Sequence, residues 1–177
     1  MSMDKPYPKL VMRKESLADL PALSCPAGYT IRSFQPGDES RWESIIRQSF
    51  EREIAFGHKI GDLPYFQPER VLFICSGDIP AATATAWETK LPGERCGYLH
   101  MVGALPDHSG RGLGYAASLA ALHRMRAEGQ TQAFLETDDF RLPAIKIYLK
   151  LGFTPVYLHE LHRPRWERVL RLVRPAD

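Results

Sequence analysis

The chain of 177 residues carries 23 Lys and Arg against 21 Asp and Glu, a net charge of +2, with 44% hydrophobic residues. That length holds one substantial core and is short for two domains with a linker; the charge is too weak to argue for nucleic acid, and no apolar run approaches the roughly 20 residues a membrane span needs. Three cysteines, Cys25, Cys75 and Cys96, stand without C-x-x-C spacing, which argues against a disulfide framework or zinc knuckle and for a reducing, cytoplasmic setting.

Residues 1–27 contain Pro6, Pro8, Pro21 and Pro26 and no apolar signal core. They read as an irregular arm packing on the domain of residues 28–177, with a short strand at Lys9–Met12. Tyr29–Phe34 alternates as a strand; Pro36-Gly37-Asp38 then turns the chain, and Asp38 is placed to cap a helix running to Phe50 with Trp42, Ile45, Ile46 and Phe50 as its core stripe. Glu51–Arg70 mixes aromatics with Gly and Pro and follows no single period, which suits a helix and loop bordering a pocket. Val71–Cys75 and Ala81–Trp87 flank a Ser-Gly-Asp turn and predict an antiparallel hairpin, with Tyr98–Ala104 as the next strand. A helix is expected from Gly112 to Glu128 with Gly129 as its stop, a strand over Gln132–Thr137, and a helix over Leu142–Leu151 ended by Gly152. Phe153–Leu158 and Trp166–Val173 are expected as closing strands, the latter presenting Arg163, Arg165, Arg168, Arg171 and Arg174 to solvent.

Between the strand at 98–104 and the next helix stands Ser109-Gly110-Arg111-Gly112-Leu113-Gly114. Three glycines within five positions let several backbone N–H groups and a helix N-terminus face one anion. There is no Gly-Lys pair, which excludes a P-loop. Gly112-Leu113-Gly114-Tyr115-Ala116-Ala117 fits a dinucleotide fingerprint in letters, but it lies beyond a Pro106-Asp107-His108 spacer rather than directly after the strand. The stretch after Glu136 is also short for the parallel strands that fold requires.

Together with Val102-Gly103-Ala104-Leu105-Pro106 before it, the glycine loop resembles the first motif of the GNAT superfamily of acyl-CoA-dependent N-acyltransferases, Q/R-x-x-G-x-G/A after a strand. The superfamily's second pattern, Asn-x-x-Ala-x-x-x-Tyr-x-x-x-Gly-Phe, appears in Arg141-Leu142-Pro143-Ala144-Ile145-Lys146-Ile147-Tyr148-Leu149-Lys150-Leu151-Gly152-Phe153. The chain departs from the motifs at Ser109, where the family has Gln or Arg, and at Arg141, where it has Asn. The resemblance implies an α/β fold with a mixed, mostly antiparallel sheet flanked by helices, and acetyl-CoA as acyl donor. Its pyrophosphate would sit on backbone N–H groups of Ser109, Gly110, Arg111, Gly112, Leu113, Gly114 and Tyr115. Its pantetheine would pair with free main-chain groups of Val102, Gly103 and Ala104 at a splayed strand. Arg141 either contacts the coenzyme by charge or faces solvent at a helix start.

The implied reaction is attack by a primary amine, of a small molecule or a peptide, on the acetyl thioester in a ternary complex. Tyr148 matches the tyrosine that protonates the departing thiolate; as a residue it also shares a helical face with Ala144 and Leu151, the pattern of a core tyrosine. Tyr98 and His100 project to one side of their strand. That strand is similar to one in arylalkylamine acetyltransferases with histidines at both positions, so His100 is a candidate proton acceptor or a core histidine. Glu88 and Glu136 are weaker candidates. Asp138 and Asp139 precede a helix and read as its caps, and His159-Glu160-Leu161-His162 lacks the H-E-x-x-H spacing of a metal site, so no metal is assigned. An idle acyl-CoA-binding module is the competing function. A nucleic-acid or membrane partner is not expected, and a homodimer is left open.

Overall fold

The computed structural model describes residues 7–88 and 95–173; Arg174 and the first six residues of the arm lie outside the described residues. The described residues form seven strands, β1 (Leu10–Lys14), β2 (Tyr29–Ser33), β3 (Val71–Ser76), β4 (Ile79–Glu88), β5 (Cys96–Ala104), β6 (Gln132–Thr137) and β7 (Thr154–Val156). Four helices, α1 (Glu39–Phe50), α2 (Leu113–Ala127), α3 (Leu142–Lys150) and α4 (His162–Val173), complete it. The strands make one sheet in the order β2-β3-β4-β5-β6-β1-β7. Every described pairing is antiparallel except β5 with β6. This is the mixed, mostly antiparallel α/β architecture expected from the sequence.

Two apolar clusters sandwich the sheet. Helices α2, α3 and α4 cover one face through Leu119, Ala121, Ile145, Leu151 and Trp166, which meet Leu10, Met12, Ile74, Ala84 and Leu135. On the other face α1 sets Trp42, Ile45 and Ile46 with Phe56 and Ile60 against Phe73, Cys75 and Trp87. At about 25 cal/mol per Å2 of apolar surface, the fully buried Trp42, Trp166, Phe73 and Phe153 each contribute a few kcal/mol. Arg70, only 6% exposed, ties three elements together by binding Glu88 at the end of β4 (3.2 Å) and Glu128 just past α2 (2.9 Å). No helix among the described residues is long and apolar enough to cross a membrane.

Several expectations are corrected. Residues 162–173 are helical, because Trp166, Val169 and Val173 recur at three and four residues and are all buried; Pro164 is accommodated in the first turn, where its missing N–H costs nothing. Arg165 does not decorate a solvent face: it is 7% exposed and binds Asp139 and the Pro8 carbonyl. Asp139 is thereby drawn away from the start of α3, and Asp138 is taken by Lys9 (2.6 Å), so neither caps that helix. Asp38 occupies the position before α1, but its carboxylate accepts from Arg32 (2.6 Å) and from the Gln35 N–H (2.8 Å) instead of from the helix. Only Thr154–Val156 of the expected strand at 153–158 is paired.

Candidate active site

The cleft originates in the sheet itself. Strands β5 and β6 pair only over Cys96–Tyr98 against Gln132–Phe134, although β5 runs on to Ala104 and β6 to Thr137. On its other edge β5 carries a bulge. Its pairing to β4 shifts between Thr83 and Thr85, opposite Met101, whose φ of 49° is unusual for a side chain with a Cβ. The extra residue bends β5 away from β6, and a cavity of about 460 Å3 opens there, walled by Tyr98–Val102, Glu136–Asp138, Tyr148 and residues from Phe50 to Lys59.

Of the expected main-chain partners, Ala104 is already engaged: its N–H donates to Ser49 Oγ and its carbonyl accepts from the same hydroxyl, both at 2.9 Å. Gly103 is the residue that allows this, since a Cβ there would stand 2.7 Å from Ser49 Oγ. By strand alternation the groups left facing the splay are those of Val102, which lines the cavity.

Beyond β5 the glycine loop forms an open concavity. Gly110 and Gly112 take φ of 74° and 76°, and a Cβ at either would meet no atom of the chain within 4 Å. Ala116 makes the first helical bond of α2, to the Gly112 carbonyl at 3.0 Å, so the N–H groups of Leu113, Gly114 and Tyr115 point outward without helical partners. The Leu113 side chain is buried at 2% exposure and leaves only its backbone to this surface. Gly114 packs on Ile147, where a Cβ would lie 3.1 Å from its side chain. Ser109 is exposed, Arg111 is steadied by Tyr29 Oη (3.0 Å), and Tyr115 sits under the Lys150 ammonium. The geometry suits a phosphate group held by main-chain dipoles.

Inside the cavity Tyr98 donates to Glu136 at 3.1 Å and stacks on Phe134 with centroids 4.6 Å apart. Burial and the neighbouring Glu136 charge hold the Tyr98 phenol well above the usual tyrosine range. His100 lies against Tyr98 at 4.8 Å between ring centroids; burial, with the Lys59 charge, brings its pKa down to about 3. Tyr148, on α3, lines the same cavity; burial pushes its phenol up to about 12. Arg141 does not point to solvent: its guanidinium stacks 3.8 Å above the Phe50 ring and lines the cavity mouth.

The structure thus brings Tyr98, His100, Val102, Tyr148 and Arg141 to one cavity, with the loop from Ser109 to Tyr115 beyond it. Glu88 is withdrawn by Arg70, whereas Glu136 lines the cavity and accepts from Tyr98. Arg52, Lys59 and Phe140 line the cavity without having been singled out from sequence, and Phe50, expected in the core stripe of α1, lines it too. The mixed period of Glu51–Arg70 marked that stretch, but nothing in it marked which side chains turn inward. His159 and His162 accept from the Leu161 and Leu158 N–H groups respectively. Among the described residues no group of three His, Cys, Asp or Glu is placed to hold a metal ion.

The acetyltransferase (GNAT) family model matches residues 37–153. The chain belongs to this family. It is 33% identical over 155 residues to a mycothiol acetyltransferase of Thermomonospora curvata, covering 82% of this chain and 51% of that protein. A mycothiol acetyltransferase of Streptomyces griseus is 31% identical over 144 residues, 77% of this chain and 46% of the other. The chain therefore spans about half the length of the curated relatives it matches. A GCN5-related N-acetyltransferase from Sphaerobacter thermophilus superposes with a TM-score of 0.64 at 22% identity, over 85% of this chain and 50% of that one, a likeness in fold.

Proposed function

We propose that the chain is an acetyl-CoA-dependent N-acetyltransferase that moves the acetyl group to a primary amine by direct attack in a ternary complex. The observation that carries this reading is that Tyr148, from the second motif, lines the same cavity as Glu136, Tyr98 and His100. Acetyl transfer is also what the name of the half-matching relatives describes.

In this reading the loop from Ser109 to Tyr115 takes the donor's pyrophosphate on backbone N–H groups, Arg141 adds a cation nearby, and Val102 pairs with the pantetheine arm. The acceptor enters as an ammonium and must lose a proton before its nitrogen can attack. The Glu136 carboxylate, oriented by the Tyr98 hydroxyl, accepts it. Tyr98, whose phenol holds its proton firmly, serves as a donor rather than a base. His100 is a neutral imidazole throughout the ordinary pH range and offers a hydrogen-bond acceptor. The C–N bond forms as the C–S bond breaks. The thiolate takes the Tyr148 proton, the nitrogen gives up its second proton to restore the phenol, and the first passes from Glu136 to solvent, so one proton is released per turnover.

The test is thiol release from acetyl-CoA across a panel of amines, in the native chain and in Tyr148→Phe. Loss of a general acid should lower kcat by roughly 10²-fold while acetyl-CoA affinity and melting temperature change little. Full turnover in the Phe variant would remove Tyr148 from the chemistry. A native protein that binds acetyl-CoA yet releases no thiol with any amine would be a binding module instead.

A further inference from the structure

The cavity carries two cations for which acetyl transfer itself has no use. Arg52 and Lys59 lie on the segment that leaves α1, where Glu51 adopts φ of 51° and a π-helical turn spans Gly57–Gly61. The segment is anchored: Phe56 and Ile60 are 3% and 0% exposed, and the Phe56 N–H donates to Glu43 at 2.8 Å. Lys59 thus sits between two anchored residues, and both cations, exposed at their own positions, line the cleft.

Neither has a carboxylate partner among the described residues. The nearby acids are spent elsewhere, Glu53 on Arg47 (3.8 Å) and Asp138 on Lys9 (2.6 Å). Lys59 and His100 line the same cavity, and the Lys59 charge is felt at His100. No residue of the loop 109–114 lines this cavity, so the two cations stand apart from the place where the donor's phosphates are read. Two exposed cations without carboxylate partners, lining one cleft, raise the local potential for an anion. Among the residues lining the cavity, Glu136 supplies the opposite sign, hydrogen-bonded by Tyr98 but unpaired with any cation among the described residues.

Building on the transferase reading, we propose that the acceptor is a small zwitterionic amine, its nitrogen directed to Glu136 and an anionic group on the same skeleton held by Arg52 and Lys59. Simple alkylamines fill only half of this charge pattern.

Matched acceptor pairs test it: phenylalanine against phenethylamine and cysteine S-methyl ether against its decarboxylated amine for a carboxylate, phosphoethanolamine against ethanolamine for a phosphate. At least one pair should favour the anionic member by about tenfold in kcat/KM, the scale of two partly exposed ion pairs, and the pair that does so identifies the anion. In Arg52→Gln/Lys59→Gln that preference should fall to near unity through KM, and Lys59→Glu should favour the plain amine, while acetyl-CoA affinity holds in both. Equal turnover of both members in every pair would overturn the inference and leave the transferase reading standing. A preference that survives the double variant would also overturn it, since the discrimination would then lie elsewhere.

Discussion

The loop after β5 and the loop after β6 leave the same end of the sheet, because those two strands are parallel, yet they are held in place by different means. The first, around Gly110 and Gly112, is a backbone object: its shape comes from two left-handed residues and the unpaired N–H groups of the α2 N-terminus. The second, Asp138–Arg141, is stitched by side chains. Lys9, just before β1, takes Asp138, Arg165 from α4 takes Asp139, and Arg141 lies on Phe50 at the end of α1. A backbone-built wall depends on its own short sequence, whereas a stitched wall depends on residues brought from other elements, as far off as the 129 positions between Lys9 and Asp138.

The largest effect is expected where the backbone wall is broken. Gly112→Val places a β-branched side chain at φ of 76°, a conformation costly for any residue with a Cβ, and projects it into open space where the donor's phosphate would approach. Acetyl-CoA affinity should fall by roughly 10²-fold, on the scale of two or three lost main-chain hydrogen bonds to an anion. Gly129→Val is the matched control. It has φ of 87°, also with nothing within 4 Å, at the far end of α2, so it carries the same backbone strain without touching the cradle. Calorimetry on both variants separates the two effects, and equal affinity losses would mean that strain, not the cradle, is responsible.

The stitched wall should respond in stability. Arg165→Met removes a nearly buried guanidinium and strands the Asp139 carboxylate, which that guanidinium holds below its usual range. Because Asp139 keeps about a third of its exposure, the cost should be about 2–3 kcal/mol, below the full penalty for a buried orphan charge. Arg165→Met/Asp139→Asn should recover part of it. The native pair's contribution is present above the unfolded carboxylate pKa and is lost as pH falls below about 4. Denaturant unfolding of the three proteins at neutral pH checks this, and an unchanged midpoint in Arg165→Met would mean the second loop is held by packing alone.

The contrast also explains what could be read from the sequence. The glycine loop, the β3–β4 hairpin and the Ala144–Tyr148–Gly152 pattern are local, so their residues declared the elements they belong to. The helix at 162–173 was legible in principle, since Trp166, Val169 and Val173 keep a helical spacing, but the arginines between them imitate strand alternation. Neither the bulge at Met101 nor the Ser49 hydroxyl closing off Ala104 leaves a local signature. The promotion of Glu136 over Glu88 depends on Tyr98 and Arg70, residues in other strands and turns whose directions only the assembled sheet decides.

The smallest effect concerns His100, which a sequence reading makes the group behind an acidic limb near pH 6.5. Around it lie Tyr98, Trp87 and the Lys59 charge; burial is the larger cause and Lys59 the smaller in bringing its pKa to about 3. The folded protein then takes up no proton on His100 between pH 6.5 and 3, whereas the unfolded chain does. By linkage, the native state gains stability with rising pH through that window, holds it in full above 6.5, and loses it progressively as pH falls toward 3. In His100→Gln this dependence vanishes, so the variant should be closer to the native protein in melting temperature at pH 5 than at pH 8. The other depressed groups, Asp38 and Asp139, are the same in both proteins and cancel in the difference. Turnover should show no inflection near pH 6.5 that the variant lacks. If such an inflection exists and disappears in His100→Gln, the imidazole is the proton acceptor, and Glu136 moves from base to a group that positions Tyr98.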